Sequence, residues 1–165
     1  MNGRTRSSRW AIALALTIAA AAAPVALAQI GDVDGIVTSP DCIVSDGGRL
    51  AVASGDEATF GGNASTRRQG FGHQIFVNHG PAAEFTFTTV EITSLVCIED
   101  GRYAKMTGTG RVESGEGPDQ IVGFRLEMQD THEGPAADGY HLTLSNGYDT
   151  GLQLVLHGEI QVRFP

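Results

Sequence analysis

The chain has 165 residues, with 11 Lys and Arg against 19 Asp and Glu, for a formal charge of −8. That length suits a single domain, and 41% hydrophobic against 18% charged residues argues against a disordered chain. So acidic a chain is also a poor binder of nucleic acid or anionic lipid, because counterion release needs clustered Lys and Arg.

Residues 1–28 read as a secretory signal-peptide helix. A basic start (Arg4, Arg6, Arg9) precedes an apolar run from Trp10 to Ala23, and Ala26-Leu27-Ala28 has the small-x-small form that signal peptidase accepts. Cleavage is expected between Ala28 and Gln29. No cysteine sits directly after the small residues, so a lipoprotein anchor is not expected, and no later apolar stretch of about 20 residues offers a membrane span. Loss of the leader with its three arginines leaves 137 residues carrying eight bases and nineteen acids, a net charge of −11. The alanine-rich leader and a single later lysine, Lys105, suggest a GC-rich bacterial source. The destination is the periplasm or the extracellular space.

Two cysteines, Cys42 and Cys97, remain in the exported chain. An even count in an oxidising compartment favours a disulfide over two separate buried thiols. Closing a loop of that length would stabilise the fold by about 4 kcal/mol in the chain-entropy account.

Residues 29–47 read as a flexible N-terminal arm and 48–165 as one domain. Past residue 28 the recurring pattern is alternation bounded by Gly, Asn, Asp and Pro, with no helical period. Leu50, Val52 and Ser54 open the first strand, and Ala58–Gly62 follows. His73–Asn78 puts Ile75 and Val77 on one face and Phe76 on the other. Glu84–Val90 alternates Phe85 and Phe87 against Glu84, Thr86 and Thr88. Glu91–Ile98 and Arg102–Glu113 form a hairpin through Glu99-Asp100-Gly101, a sequence suited to a tight turn with positive φ. On its second strand Ala104, Met106, Gly108, Gly110 and Val112 share one face. Gln120–Gln129 turns Val122, Phe124, Leu126 and Met128 inward, and Tyr140, Leu142 and Leu144 repeat the pattern. Leu152, Leu154 and Leu156 share one side of the terminal segment, and Ile160, Val162 and Phe164 follow after His157-Gly158. The sum is all-β: an antiparallel β-sandwich of about eight to ten strands, with a closed β-barrel as the alternative.

Few residues here point to chemistry. Gly108-Thr109-Gly110 lacks the helix and third glycine of a phosphate-binding turn, and reads as a flat patch under facing aromatics. The polar loop 130–138 carries Asp130, Glu133 and Asp138, whose oxygens could gather around a hard cation such as calcium, though the spacing is not that of an EF-hand. Asp32 and Asp34 on the arm have less of this character. His73, His79, His132, His141 and His157 form no HxH or HExxH pair, and no GxSxG elbow occurs. Without tryptophan after the leader, Tyr103, Tyr140 and Tyr148 are the remaining sugar-stacking candidates. Asn63-Ala64-Ser65 matches a glycosylation sequon, read as fortuitous given the bacterial source expected. No catalytic or cofactor-binding residue is assigned.

The order of motifs resembles a known family. Phe60-Gly61-Gly62-Asn63 precedes a strand, and Val90–Val96 precedes Ala104-Lys105-Met106-Thr107-Gly108-Thr109-Gly110. Val122-Gly123-Phe124, Asp130 and His157-Gly158-Glu159-Ile160-Gln161-Val162 come next. Over about residues 48–163 this resembles the bacterial secreted domain that follows "choice-of-anchor" regions in surface proteins, departing from it at Cys97 and at His157-Gly158-Glu159. The resemblance implies a β-rich extracellular module without assigned activity, cofactor or catalytic residues. The expected function is a secreted, non-enzymatic structural or interaction module at the cell envelope, its partner an envelope protein or a glycan. A carbohydrate- or small-ligand-binding domain is the alternative, and an extracellular hydrolase comes last.

Overall fold

The computed structural model describes residues 41–67, 71–81, 84–98, 102–115, 117–131 and 138–165. The leader, its cleavage point, Asp32, Asp34, the Glu99-Asp100-Gly101 turn, His132 and Glu133 lie outside the described residues. Among the described residues the chain forms nine strands. These are β1 (Ile43–Ala51), β2 (Glu57–Ser65), β3 (Gly72–Asn78), β4 (Phe85–Ile98), β5 (Tyr103–Glu113), β6 (Gln120–Gln129), β7 (Gly139–Leu144), β8 (Gln153–Leu154) and β9 (His157–Arg163). They build one antiparallel sheet in the order β8-β7-β6-β5-β4-β3-β2-β1-β9, curled into a half-barrel.

Sequential neighbours pair throughout, as short connections dictate. Only β9 leaves the chain order, returning to lie antiparallel to β1 from Ile43↔Arg163 to Arg49↔His157. β1 starts at Ile43, inside the stretch read from sequence as the arm. Its even positions carry the reason: Val44, Leu50 and the following Val52 are buried, and the strand pairs with β2 along its whole length. Strands expected separately at Glu84–Val90 and Glu91–Ile98 are one strand. Two register shifts against β5, between Thr89 and Glu91 and between Ile92 and Ser94, break the alternation midway. Bulges of this kind bend a strand without ending it. Phe85 and Phe87 therefore face inward before the bulges, Ile92 between them, and Leu95 and Cys97 after them.

The inner face is one contiguous apolar core. Phe60 stacks near Tyr140 (ring centroids 4.4 Å apart), and Phe85 meets Tyr148 edge-on at 4.7 Å. Phe87 and Phe124 form a second edge-on pair at 5.4 Å, in the geometry that ring quadrupoles favour. A Cβ at Gly110 would collide with the Phe87 ring and one at Gly108 would press on Phe124, so the bare backbone expected beneath facing aromatics is present. Two faces run opposite to a simple hydrophobic reading. Phe76 is buried on β3 together with Gln74 and Asn78, and Ile75 is exposed, while Leu152, Leu154 and Leu156 share the solvent side and Val155 is buried.

Among the described residues the outer edge of β9 has no partner strand, yet its amides are bonded. Ile160 N–H donates to Asp138 Oδ2 (2.8 Å) and Val162 N–H donates to Asp130 Oδ2 (2.9 Å). Both aspartates are buried at the β6–β7 end of the sheet, so two carboxylates replace a ladder and bring the last strand over the β6–β7 wall. Asp138 Oδ1 also accepts from Thr131 N–H (3.1 Å), and Arg102 stands 4.0 Å from Asp130. A disulfide joins Cys42, just before β1, to Cys97 on β4, two strands that are not neighbours in the sheet.

Both crosslinks are testable. Serine at Cys42 and Cys97 together is expected to cost about 4 kcal/mol and lower the melting temperature by about 10 °C or more, against an unchanged melt if the bond constrains nothing. Asp138→Ala leaves the buried Ile160 N–H and the part-buried Thr131 N–H without an acceptor and is expected to cost about 2–4 kcal/mol. Hydrogen exchange locates the effect: the amides of Ile160 and Val162 should lose protection before those of β5. Uniform loss across the sheet would show that the carboxylates do not act as a local latch.

Candidate functional site

Alternation sends every second residue of β5, β6 and β7 to the outer face. Register then lines up Lys105, Glu127 and His141 in one row, and Thr107, Arg125 and Thr143 in the next. Glu127 is the hub. Tyr103 donates its hydroxyl hydrogen to Glu127 Oε1, Arg125 donates to the same oxygen (2.6 Å), and His141 Nδ1 stands 3.4 Å from Oε2. Burial works against the Glu127 anion, but the hydrogen bonds from Tyr103 and Arg125 outweigh it and hold the carboxyl below its ordinary range. Burial and the adjacent Glu127 push Tyr103 upward, so it remains a donor at neutral pH. His141 Nε2 lies 2.8 Å from Asp149. Despite some desolvation, Asp149 is held below its ordinary value by the Gly151 amide and by His141.

Beside this network lies a shallow groove of about 460 Å³, lined chiefly by Thr93, Thr107, Thr109, Gly123, Arg125 and Thr143. Its floor is instructive. A Cβ added at Gly123 would meet nothing nearer than Ser145 Cβ at 3.7 Å, an ordinary contact. A glycine inside a strand costs roughly 0.5–1 kcal/mol relative to a residue with a side chain. Gly62, Gly108 and Gly110 are compelled by close neighbours, whereas Gly47, Gly61, Gly123 and Gly139 have only ordinary contacts, and of these four Gly123 lies in the groove. A strand glycine marks a bulge, a bend or a place where another group approaches the backbone closely.

The inner face holds a second polar feature. β1, β2 and β3 bring Asp46, Gly62 and Gln74 into one row. Gln74 Nε2 donates to Asp46 Oδ2 (2.8 Å), and the absent side chain of Gly62 makes room for the glutamine. Among the described residues, Asp46 Oδ1 and Gln74 Oε1 are both buried without a hydrogen-bond partner. Burial dominates the Gln74 hydrogen bond and pushes the Asp46 carboxyl up to about 6.

The sequence candidates fall elsewhere. Asp130 and Asp138 spend carboxylate oxygens on backbone amides, a structural role, and Glu133 lies outside the described residues. Among the described residues no group of three or more His, Cys, Asp or Glu is arranged to hold a metal. Tyr140 is buried in the core and Tyr148 packs on Phe85, with burial pushing Tyr148 up to about 12, so neither offers a stacking face. His73 pairs with Thr89 and His79 with Thr59. Among the described residues, His141 is the histidine paired with other ionisable groups. The network escaped the sequence reading because its members are up to 46 residues apart and meet only through register. Asp46 had a local signal: it occupies the inward phase of Val44-Asp46-Gly48-Leu50.

Asp46 makes stability depend on pH in a stated direction. Its folded value is above the free value of 3.8, so folding favours the proton and this contribution is fully present below about pH 4. It is lost as the pH rises toward 6 and stays lost above it. Asp46→Asn, which mimics the protonated form, is therefore expected to be more stable than the parent at pH 8, by up to about 3 kcal/mol, and similar to it near pH 4. Denaturant unfolding at the two pH values checks this, and equal differences at both would remove the assignment.

Comparison with protein-family models, with curated proteins and with solved structures finds no match to this chain.

Proposed function

We propose that this protein is a secreted, non-enzymatic interaction module, working in the periplasm or outside the cell, and that its contact surface is the outer face of β4–β7. The groove over Gly123 carries this reading: the fold has room for a side chain there and carries none, at a cost in strand stability. The ionisable groups beside it support a binding role over a catalytic one. Glu127 is engaged by Tyr103, Arg125 and His141, and both ring nitrogens of His141 face carboxylates. A general base needs a lone pair turned toward its substrate, and these groups turn theirs toward one another. The buried Cys42–Cys97 bond agrees with an oxidising compartment, as does the leader-like start of the chain. The resemblance to the domain that follows choice-of-anchor regions points to the same location.

Retention on the envelope fraction of the producing cell tests the surface. Thr109→Arg fills the groove, whereas Ser45→Arg places the same charge on the outer face of β1. The groove variant is expected to lose at least about tenfold in retention and the control to keep it. Equal behaviour of the two variants would refute the assignment of the contact face.

A further inference from the structure

We infer that the groove over Gly123 takes a neutral polyhydroxylated ring, a pentose or hexose unit of an uncharged glycan. This rests on the reading of the outer face of β4–β7 as the contact surface and names what that surface meets. Three observations select the ligand class. The first is shape. Gly123 leaves peptide backbone bare in the floor, with the nearest atom to an added Cβ at 3.7 Å, so a flat ring can lie directly on the strand. The second is hydrogen-bonding chemistry. Thr93, Thr107, Thr109, Thr143 and Ser145 all border the groove, and among the described residues the hydroxyls of Thr107 and Thr109 make no hydrogen bond. A hydroxyl both donates and accepts, which matches the same group on a sugar.

The third is charge. Arg125 at the rim is paired with Glu127, and His141 beside Thr143 is paired with Glu127 and Asp149, so the charges bordering the groove are matched within the protein. An acidic sugar would have to draw Arg125 away from Glu127 and would approach a chain whose formal charge is −8. A neutral ring meets neither obstacle. Placed flat on Gly123, it would set its edge hydroxyls against Thr107 and Thr109 on β5 and Thr143 on β7, with Arg125 closing one side.

The test uses ¹⁵N-labelled protein titrated with neutral pentasaccharides (cellopentaose, xylopentaose, laminaripentaose, maltopentaose and chitopentaose) and with oligogalacturonate as the acidic comparator. At least one neutral probe is expected to shift the amides of Thr107, Thr109, Gly123 and Ser145, with a weaker response to the acidic one. Gly123→Val should lower affinity by about tenfold or more while melting at the same or a higher temperature, because the fold does not require that glycine. Thr109→Val, nearly isosteric, should lose about threefold to tenfold. Silence from every neutral probe, stronger binding of oligogalacturonate, or shifts confined to another surface would each overturn the inference. If Thr109→Arg still loses envelope retention while no sugar binds, the sugar inference fails and the contact face stands, with a protein as its occupant. A lower melting temperature for Gly123→Val would show that the glycine is structural and would also overturn it.

Discussion

The last strand reaches the sheet with one row of amides already bonded to β1 and another row pointing at nothing in the ladder. Leaving such groups buried and unbonded costs about 1–3 kcal/mol each, so the curl of this sheet depends on finding acceptors for them. Asp138 and Asp130 supply those acceptors from the β6–β7 end, bonding Ile160 and Val162. Closure holds β1 and β9 against the opposite wall, and Tyr140 of β7 then packs on Phe60 of β2 and near Phe76 of β3. The disulfide from Cys42 to Cys97 works to the same end, joining strands that share no ladder.

With the barrel half closed, the same residue type meets opposite environments on the two faces. Asp46 sits on the inner face with one hydrogen bond and a second oxygen that has none, and its carboxyl is pushed upward. Glu127 faces outward among three partners and is held downward. The inner carboxylate is a liability to folding above about pH 6, whereas the outer one is part of a network that fixes Tyr103, Arg125 and His141. The glycines divide the same way. Gly62 and Gly110 are bare because Gln74 and Phe87 occupy their space, and Gly123 is bare over solvent.

Most strands could be read from alternation, because a strand with one wet face writes its burial into every second residue. β5, β6 and β7 follow that pattern closely, and the apolar sets Ala104-Met106, Phe124-Leu126-Met128 and Tyr140-Leu142-Leu144 are buried as read. Alternation misled wherever a polar residue sits inside. The first five residues of β1 read as arm because Ser45, Asp46 and Gly47 hide its phase, and in β3 alternation sets Ile75 and Val77 against Phe76 without deciding which face is inside. The leucines at 152, 154 and 156 share one side as read, but hydrophobicity alone could not tell that β8 turns that side to solvent. The candidate site was less legible. Thr107 and Gly123 could be placed on outward faces, but nothing in the spacing brings either next to Arg125, His141 or Asp149.

The amino-acid sequence by itself determined the class of fold, the antiparallel order of consecutive strands and most of the core. Those properties follow from local alternation and short connections, which act between residues near in the chain. Tertiary structure alone decided that β9 returns to β1, that Asp130 and Asp138 serve backbone amides, and that Glu127 gathers partners from three strands. Each of these depends on register and curl, so it arises only when distant segments are placed side by side. The −8 chain of the opening count therefore distributes its acids by role: two hold the curl of the half-barrel, one lies buried on its inner face, and two order the outer face beside the groove.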